Sequence, residues 1–188
     1  MGCIMPRIIA GEFRGRRLAA PADSTRPTSD RVREAIASML AARMDPAGAR
    51  VLDLYAGTGA LALEALSRGA STAVLVESDR KAARVITENI AACRAEGRAR
   101  VVTRTVDAFL SAPGGVFDVV FVDPPYEVGA DEVDALLAAL RPHLAPDAWV
   151  VLERGSRSAA PVWPAGLEQV ADKDYGDTRV LLATTLAG

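Results

Sequence analysis

From residue 50 onward the chain alternates short apolar, β-branched runs with longer stretches whose apolar residues recur every third or fourth position. The short runs predict strands at 51–55, 73–77, 100–104, 117–122 and 148–153. Between them, helices are predicted at 60–68, ended by Gly69, and at 79–95, with Ala83, Ile86, Ile90 and Cys93 inward. Asp107 opens a short helical turn that stops before Pro113-Gly114-Gly115, and Val133, Leu136, Leu137 and Leu140 mark a further helix. Strand followed by helix, repeated, calls for a parallel sheet with helices on its faces. The tail holds two more strands, 167–173 and 178–185, split at Gly176-Asp177. So tight a connection makes them antiparallel, because a parallel return needs a dozen or more residues. The expectation is an α/β fold with a mostly parallel seven-stranded sheet and an antiparallel C-terminal strand.

The first 44 residues follow a different pattern. Residues 7–20 read as two short apolar segments around a Gly-rich, Arg-rich turn, which predicts a β-hairpin with Gly11 to Gly15 at an exposed, mobile tip. A Pro-containing linker at 21–27 leads to Thr28, a candidate N-cap, with Ser29 and Asp30 in the first turn. Val32, Ile36, Met39 and Leu40 then form one apolar face, leaving Arg31, Arg33 and Glu34 outward. This helix is expected to pack on the main domain. The division is therefore an N-terminal extension, 1–44, and a main domain, 45–188.

Composition narrows the class. No apolar run approaches a membrane span, and no charged-then-apolar leader is present. The two cysteines, Cys3 and Cys93, are far apart and in no metal-ligand spacing, which predicts reduced thiols, a cytoplasmic protein and no metal. Met1 and Met5 are both available starts. The net charge of −2 hides an asymmetry. Residues 1–44 carry eight arginines against four acids, and the remainder carries 14 basic against 20 acidic residues. A basic arm on an acidic body predicts contact with a polyanion at one end, and arginine offers phosphate a flat bidentate fork. The candidates are Arg7, Arg14, Arg16, Arg17, Arg26, Arg31 and Arg33.

Two stretches carry chemistry. Gly57-Thr58-Gly59 follows the first strand and opens a helix, Ala62 takes the third position of G-x-G-x-x-G/A, and Glu77 ends the next strand where a ribose-binding acid belongs. That much fits NAD as well as S-adenosylmethionine. Asp53, inside a buried strand, favours the latter, since it needs a cationic or donor partner and a methionine amino group would serve. Asp107, after the third strand, can accept from an adenine amine. Either acid can also be read structurally, Asp53 capping the turn and Asp107 capping a helix. Tyr55, Ala56, Ser78, Ala108 and Asp123 complete the candidate cofactor set.

The second stretch is Asp123-Pro124-Pro125-Tyr126, at the end of the apolar run 117–122. The prolines lack an N–H and stiffen the exit from the sheet. The Asp123 carboxylate and the Pro124 carbonyl can accept both hydrogens of an exocyclic amine, and Tyr126 can stack on the ring that bears it. An aryl amine is a poor nucleophile because its lone pair is delocalised. Two acceptors favour a pyramidal nitrogen aimed at a sulfonium methyl for in-line displacement. With an ordinary carboxylate pKa near about 4, Asp123 is expected to accept rather than act as a strong base. The base must leave its stack to enter such a pocket.

Asp53-Leu54-Tyr55-Ala56-Gly57-Thr58-Gly59 together with Asp123-Pro124-Pro125-Tyr126 resembles the amino-group methyltransferases of the S-adenosylmethionine-dependent, Rossmann-like class I. Arg7-Ile8-Ile9-Ala10-Gly11, Gly15-Arg16-Arg17-Leu18 and the run from Arg26-Pro27-Thr28 to Glu34 narrow this. Together they resemble the bacterial 16S ribosomal RNA guanine-N2 methyltransferases of the D family of small-subunit enzymes, over essentially all of 5–185. Ile36 stands where that family commonly has an aromatic residue. The resemblance implies methylation of one guanine N2 in assembled or assembling small-subunit RNA; the chain is expected to be a monomer. Alternatives from the residues alone are an adenine-N6 methyltransferase, a small-molecule methyltransferase that would not need the Arg arm, and a non-catalytic RNA-binding module. His143 reads as a surface or helix-end residue, and Trp149 and Trp163 as packing residues.

Overall fold

The computed structural model describes residues 5–20 and 29–186. Its elements in chain order are α1 (Asp30–Ala41), β1 (Arg50–Leu54), α2 (Ala60–Ser67), β2 (Thr72–Val76), α3 (Arg80–Ala92), β3 (Ala99–Val102), α4 (Val106–Leu110), β4 (Phe117–Val122), α5 (Ala130–Leu140), a 3₁₀ turn (Arg141–His143), β5 (Leu144–Gly155), β6 (Leu167–Tyr175) and β7 (Thr178–Thr185). The strands form one sheet in the order β3-β2-β1-β4-β5-β7-β6, parallel except that β7 runs antiparallel to both neighbours. This is the α/β sheet the alternating pattern predicts.

Alternation along each strand separates two cores. Val51, Phe121 and Val151 face α1, α2 and α3, where they pack with Ile36, Leu61 and Ile86. Leu52, Val120, Val122 and Leu152 face α4 and α5, against Leu110, Leu137 and Leu140. Strands buried on both faces must be apolar throughout, which is why the central runs read as continuous hydrophobic stretches.

The helices begin where their caps dictate. Ser29 Oγ accepts from the Val32 amide at 3.3 Å, Asp79 from Ala82 at 2.8 Å, and Thr105 from Ala108 at 3.2 Å. The predicted cap Thr28 lies outside the described residues, and Ser29 takes the role. Thr105, rather than Asp107, caps α4.

The N-terminal segment departs from expectation. Its hairpin is reduced to a single antiparallel bridge, Arg7 to Arg17, and the Gly11–Gly15 turn is docked rather than projecting. Phe13 is buried among the same apolar residues as α1 and α2. The Glu12 and Phe13 amides donate to the carbonyl and hydroxyl of Ser67, at 2.8 and 2.9 Å. A Cβ at Gly11 would lie 1.9 Å from the Ser67 carbonyl oxygen, so only glycine fits there.

Glu64, buried on α2, explains the docking. Its carboxylate accepts from the amides of Ile9 (2.9 Å) and Ala10 (3.1 Å) and pairs with Arg33 (3.3 Å) and Arg68 (3.1 Å). Arg33 also donates to the Arg7 carbonyl at 2.8 Å and to Asp30. Arg33 is therefore turned inward and 1% exposed, against the outward placement its helical spacing suggested. A buried charge needs a partner, and Glu64 on the next helix supplies it. No helical wheel of α1 alone could show that.

His143 ends the 3₁₀ turn that follows α5, the helix-end place expected, but not at the surface. It is buried, with Nε2 3.0 Å from the Leu110 carbonyl oxygen and its ring stacked on Phe109. Trp149 and Trp163 pack against the two cores as expected.

Candidate active site

A cleft of about 810 Å³ opens at the carboxyl ends of β1, β2, β4 and β5. The strand order reverses between β1 and β4, which is where open α/β sheets bind ligands. Asp53, Tyr55, Ala56, Gly57, Glu77 and Ser78 line one half of it, and Asp123, Pro124, Pro125, Tyr126, Glu153 and Arg154 the other. The two sequence stretches, some seventy residues apart in the chain, thus meet across a single cavity.

The first half is a shaped backbone. Tyr55 leaves β1 at φ 60, a strained value for a side chain of its size. The Ala56 amide then donates to the Val76 carbonyl at 3.0 Å, and Gly57 and Gly59 also take positive φ. A Cβ at Gly59 would stand 2.9 Å from Leu75 and 3.2 Å from Ile86, so this glycine lets α2 close onto the sheet. Gly59 caps α2 with no side chain of its own. Asp53 reaches instead, its Oδ2 accepting from the Ala62 amide at 3.2 Å. The structural role foreseen for Asp53 is therefore present, on an acid that also lines the cleft.

The electrostatics of this half favour a cation. Burial pushes the Asp53 carboxyl well above its ordinary pKa, and the charges of Asp123 and Glu77 push it further, against the stabilising Ala62 amide. A positive group placed among these three acids would reverse that. Glu77 already accepts from the Gly57 amide at 3.0 Å and the Asp79 amide at 2.9 Å. A carboxylate has about four acceptor positions, so two remain for ribose hydroxyls. The donor set fits S-adenosylmethionine, which is cationic and has no phosphate. Asp107 and Ala108 are not on the cleft wall. Asp107 is nevertheless close enough to Tyr55 for its charge to help burial raise the phenol's pKa.

In the second half the Asp123 amide reaches the Leu54 carbonyl at 3.5 Å, and the prolines then take the chain out of the sheet. Tyr126 stands at the rim, 71% exposed, with its ring against Gly155: a Cβ there would meet Tyr126 Cε1 at 3.3 Å. Arg154 donates to the Val128 carbonyl at 2.8 Å and ties the end of β5 to the chain beyond Tyr126.

Several residues escaped sequence reasoning. Asn89, on the inward face of α3, donates to the carbonyls of Ala19 and Thr58, both at 2.9 Å, and accepts from the Ala19 amide at 2.7 Å. It joins the N-terminal segment to the glycine turn, and a lone amide between Ile86 and Ile90 was the available signal. Glu153 and Lys81 also line the cleft, together with Arg154 and Tyr175. Glu153 could have been suspected as an acid ending an apolar strand, as Asp123 does.

The arginines divide. Arg7, Arg14, Arg17 and Arg31 are exposed. Arg16 is half-buried, donating to the Ala92 carbonyl at 2.9 Å with its guanidinium 5.2 Å from the Phe13 ring centre. Arg33 is buried and cannot touch RNA without leaving its ion pairs. Arg26 lies outside the described residues. Among those residues no helix is long and apolar enough to cross a membrane.

The chain is similar to known proteins over most of its length. A family model described as Conserved hypothetical protein 95 matches residues 6–184. The chain is 41% identical over 171 residues to Ribosomal RNA small subunit methyltransferase D of Escherichia coli, covering 90% of this chain and 85% of that one. It is 34% identical over 182 residues to the Bacillus subtilis protein YlbH, covering 94% and 97%. The solved structure of Escherichia coli yhhF superposes with a TM-score of 0.87 at 36% identity, over 98% of this chain and 99% of that chain.

Proposed function

The chain belongs to the family described as Conserved hypothetical protein 95, and on that premise we propose that it methylates the exocyclic N2 of one guanine in small-subunit ribosomal RNA. S-adenosylmethionine supplies the methyl group as its sulfonium substituent. The observation that carries the reading is the convergence of Asp53 and Glu77 with Asp123 and Tyr126 on one cleft at the switch point of the sheet.

Each group has a task set by its position. Asp53 and Glu77 bind, the former facing the amino group of the methionine moiety and the latter the ribose hydroxyls. The Gly57–Gly59 turn admits the cofactor close to the backbone. Asp123 and the Pro124 carbonyl accept the two amine hydrogens and hold the nitrogen lone pair toward the donor methyl. Such orientation makes the encounter effectively intramolecular. Tyr126, exposed at the rim, stacks on the extruded base, a contact worth about 1–3 kcal/mol. After transfer the surplus proton leaves to water, because Asp123 serves as an acceptor. The exposed arginines of the N-terminal segment bind the phosphate backbone around the target, within a small-subunit particle or its precursor.

The test is to map methylated positions in small-subunit RNA from cells with and without the protein. A single N2-methylguanine should vanish with the protein and return with the wild type. It should not return with Asp123→Ala. A missing methyl on adenine N6, or no change in the RNA, would overturn the reading.

A further inference from the structure

The basic residues of the main domain are unevenly spread. Residues 79–100 hold six of them, Arg80, Lys81, Arg84, Arg94, Arg98 and Arg100, against three acids, whereas the rest of 45–188 holds eight against 17. Three of the six stand in the first half of α3. Arg80, Lys81 and Arg84 are exposed, and their side chains make no hydrogen bond or ion pair among the described residues. Several other cations of the body are engaged, Arg50 with Asp118, Arg68 with Glu64, Arg98 with Glu12 and Arg179 with Asp172. Arg80 and Arg84 are one turn apart and share a face. Lys81 reaches the wall of the cleft.

Their position works against the helix. A helix N-terminus carries the positive end of the macrodipole, so acids are stabilising there and cations are not. α1, α4 and α5 follow that rule, with Asp30, Asp107 and the pair Asp131 and Glu132 in their first turns. α3 has no acid in its first turn and opens instead on Arg80 and Lys81. Exposed, unpaired cations at the unfavourable end of a helix call for an anion from outside the fold. A second basic element lies alongside. The docked N-terminal segment runs the length of α3: Arg16 donates to the Ala92 carbonyl in the last turn, Ala19 exchanges two hydrogen bonds with Asn89, and Ala20 shares the cleft wall with Lys81. Arg17, beside Arg16 in sequence, is exposed. At about 1.5 Å per residue, the 13-residue helix spans about 20 Å. Cations therefore mark both ends of one face, from the cleft rim to the Gly11–Gly15 turn.

We propose that this face of α3, with the segment docked along it, carries the RNA strand that flanks the target nucleotide. Arg80, Lys81 and Arg84 bind its phosphates beside the cleft, and Arg17 binds those at the far end; this rests on the function proposed above. Without the α3 cations, the docked turn would grip RNA a helix length away from the reacting base. Binding of a small-subunit RNA fragment containing the mapped position, measured by fluorescence anisotropy against salt with full-length protein, tests this. Arg80→Ala with Arg84→Ala should flatten the slope of log K against log salt by about 1.4, two contacts at about 0.7 each on single strands. A control pair, Arg141→Ala with Lys173→Ala, removes the same charge from the 3₁₀ turn after α5 and from the strand at the opposite edge of the sheet, and should leave the slope unchanged. Calorimetric affinity for S-adenosylmethionine should be unaltered in both pairs, since none of the four residues lines the cleft. A photo-crosslinking residue at Thr87, exposed on α3 one turn beyond Arg84, should trap nucleotides contiguous with the target. A wild-type slope in the α3 pair, or the same flattening in the control pair, would overturn the proposal. So would a lower S-adenosylmethionine affinity with an unchanged slope, which would place these cations with the acids of the cleft. Cross-links from Thr87 to protein instead of RNA on assembled small-subunit particles would also overturn it. If the α3 pair does not fold, the cross-link still decides, because nucleotides remote from the target would refute the path. If wild type shows the expected slopes and cross-links but methylates no guanine N2, the proposed function fails and the RNA face stands.

Discussion

The Glu77 carboxylate accepts from the Gly57 amide at 3.0 Å, so the acid at the end of β2 holds the turn that follows β1. With its second oxygen on the Asp79 amide, it fixes both the glycine turn and the start of α3 before any ligand arrives. Two hydroxyls added to the same carboxylate would meet an acceptor that needs no reorganisation. Glu77→Ala should weaken S-adenosylmethionine binding by about 1–3 kcal/mol, the range for a lost hydrogen bond to a charged group. Glu77→Gln, which keeps one acceptor oxygen, should fall between. Calorimetry reads both, and unchanged affinity in Glu77→Ala would remove Glu77 from the cofactor site.

Asp53 gives a pH dependence with a definite sign. Its carboxyl is raised well above the ordinary value near about 4, first by burial and then by Asp123 and Glu77. The protonated form is favoured in the fold. Its contribution to stability is complete at low pH and is lost as pH rises from the unfolded value through the raised folded one. Asp53→Asn, which cannot ionise, should show a flatter dependence of Tm on pH over that window. A cationic ligand favours the ionised acid, so S-adenosylmethionine binding should release a proton to solvent. Calorimetry in buffers of different ionisation enthalpy should detect that release in wild type and not in Asp53→Asn. Parallel stability curves for the two proteins would sink the argument.

Legibility of this chain from its sequence depended on whether an interaction was local. β4 was readable residue for residue, because a doubly buried strand must be apolar and Pro124 must end it. The Gly57 turn, Glu77 and Asp123 were readable too, since strand ends in an α/β fold converge on one edge. Arg33 was not. Its spacing put it on the polar face of α1, and distant partners, Glu64 thirty-one residues on and the Arg7 carbonyl, draw it inward. The docked Gly11 turn failed for the same reason, because its partner is the Ser67 carbonyl on α2. Asn89 and Glu153 were visible as polar residues at apolar positions, but their partners are set by tertiary placement.

Asn89 should couple folding to cofactor binding. Its amide satisfies three backbone groups, two on Ala19 and one on Thr58. Asn89→Leu keeps the volume and leaves all three without that partner, each costing about 1–3 kcal/mol where water cannot reach. Tm should fall, and S-adenosylmethionine affinity should fall beyond what Tm explains, because Thr58 belongs to the glycine turn. Asn89→Asp keeps the acceptor for the Ala19 amide but sets a buried carboxylate oxygen against the Ala19 and Thr58 carbonyls, so it should be no milder. Lower Tm with unaltered affinity would make Asn89 a structural tie only.

The N-terminal arginines call for point substitution rather than truncation. Removing residues 1–20 would take the Ile9 and Ala10 amides from Glu64 and pull Phe13 and Leu18 out of the core, so the truncated chain should lose its fold. Arg33→Met should also destabilise, by about 3–5 kcal/mol, since it leaves a buried Glu64 short of a cation. Arg14, Arg17 and Arg31 differ, being exposed on the surface of a body that is otherwise acidic. Replacing them by alanine should change stability by no more than about 0.5 kcal/mol per site, as for ordinary surface changes. Phosphate contacts release counterions, with a slope of about −0.7 in log K against log salt per contact on single strands. The triple variant should therefore flatten the salt dependence of RNA binding by up to about two units if all three make contact. S-adenosylmethionine affinity should be untouched, because the cofactor half of the cleft lies on β1, β2 and α3. A triple variant with wild-type salt dependence and turnover would mean that RNA is held elsewhere on the molecule.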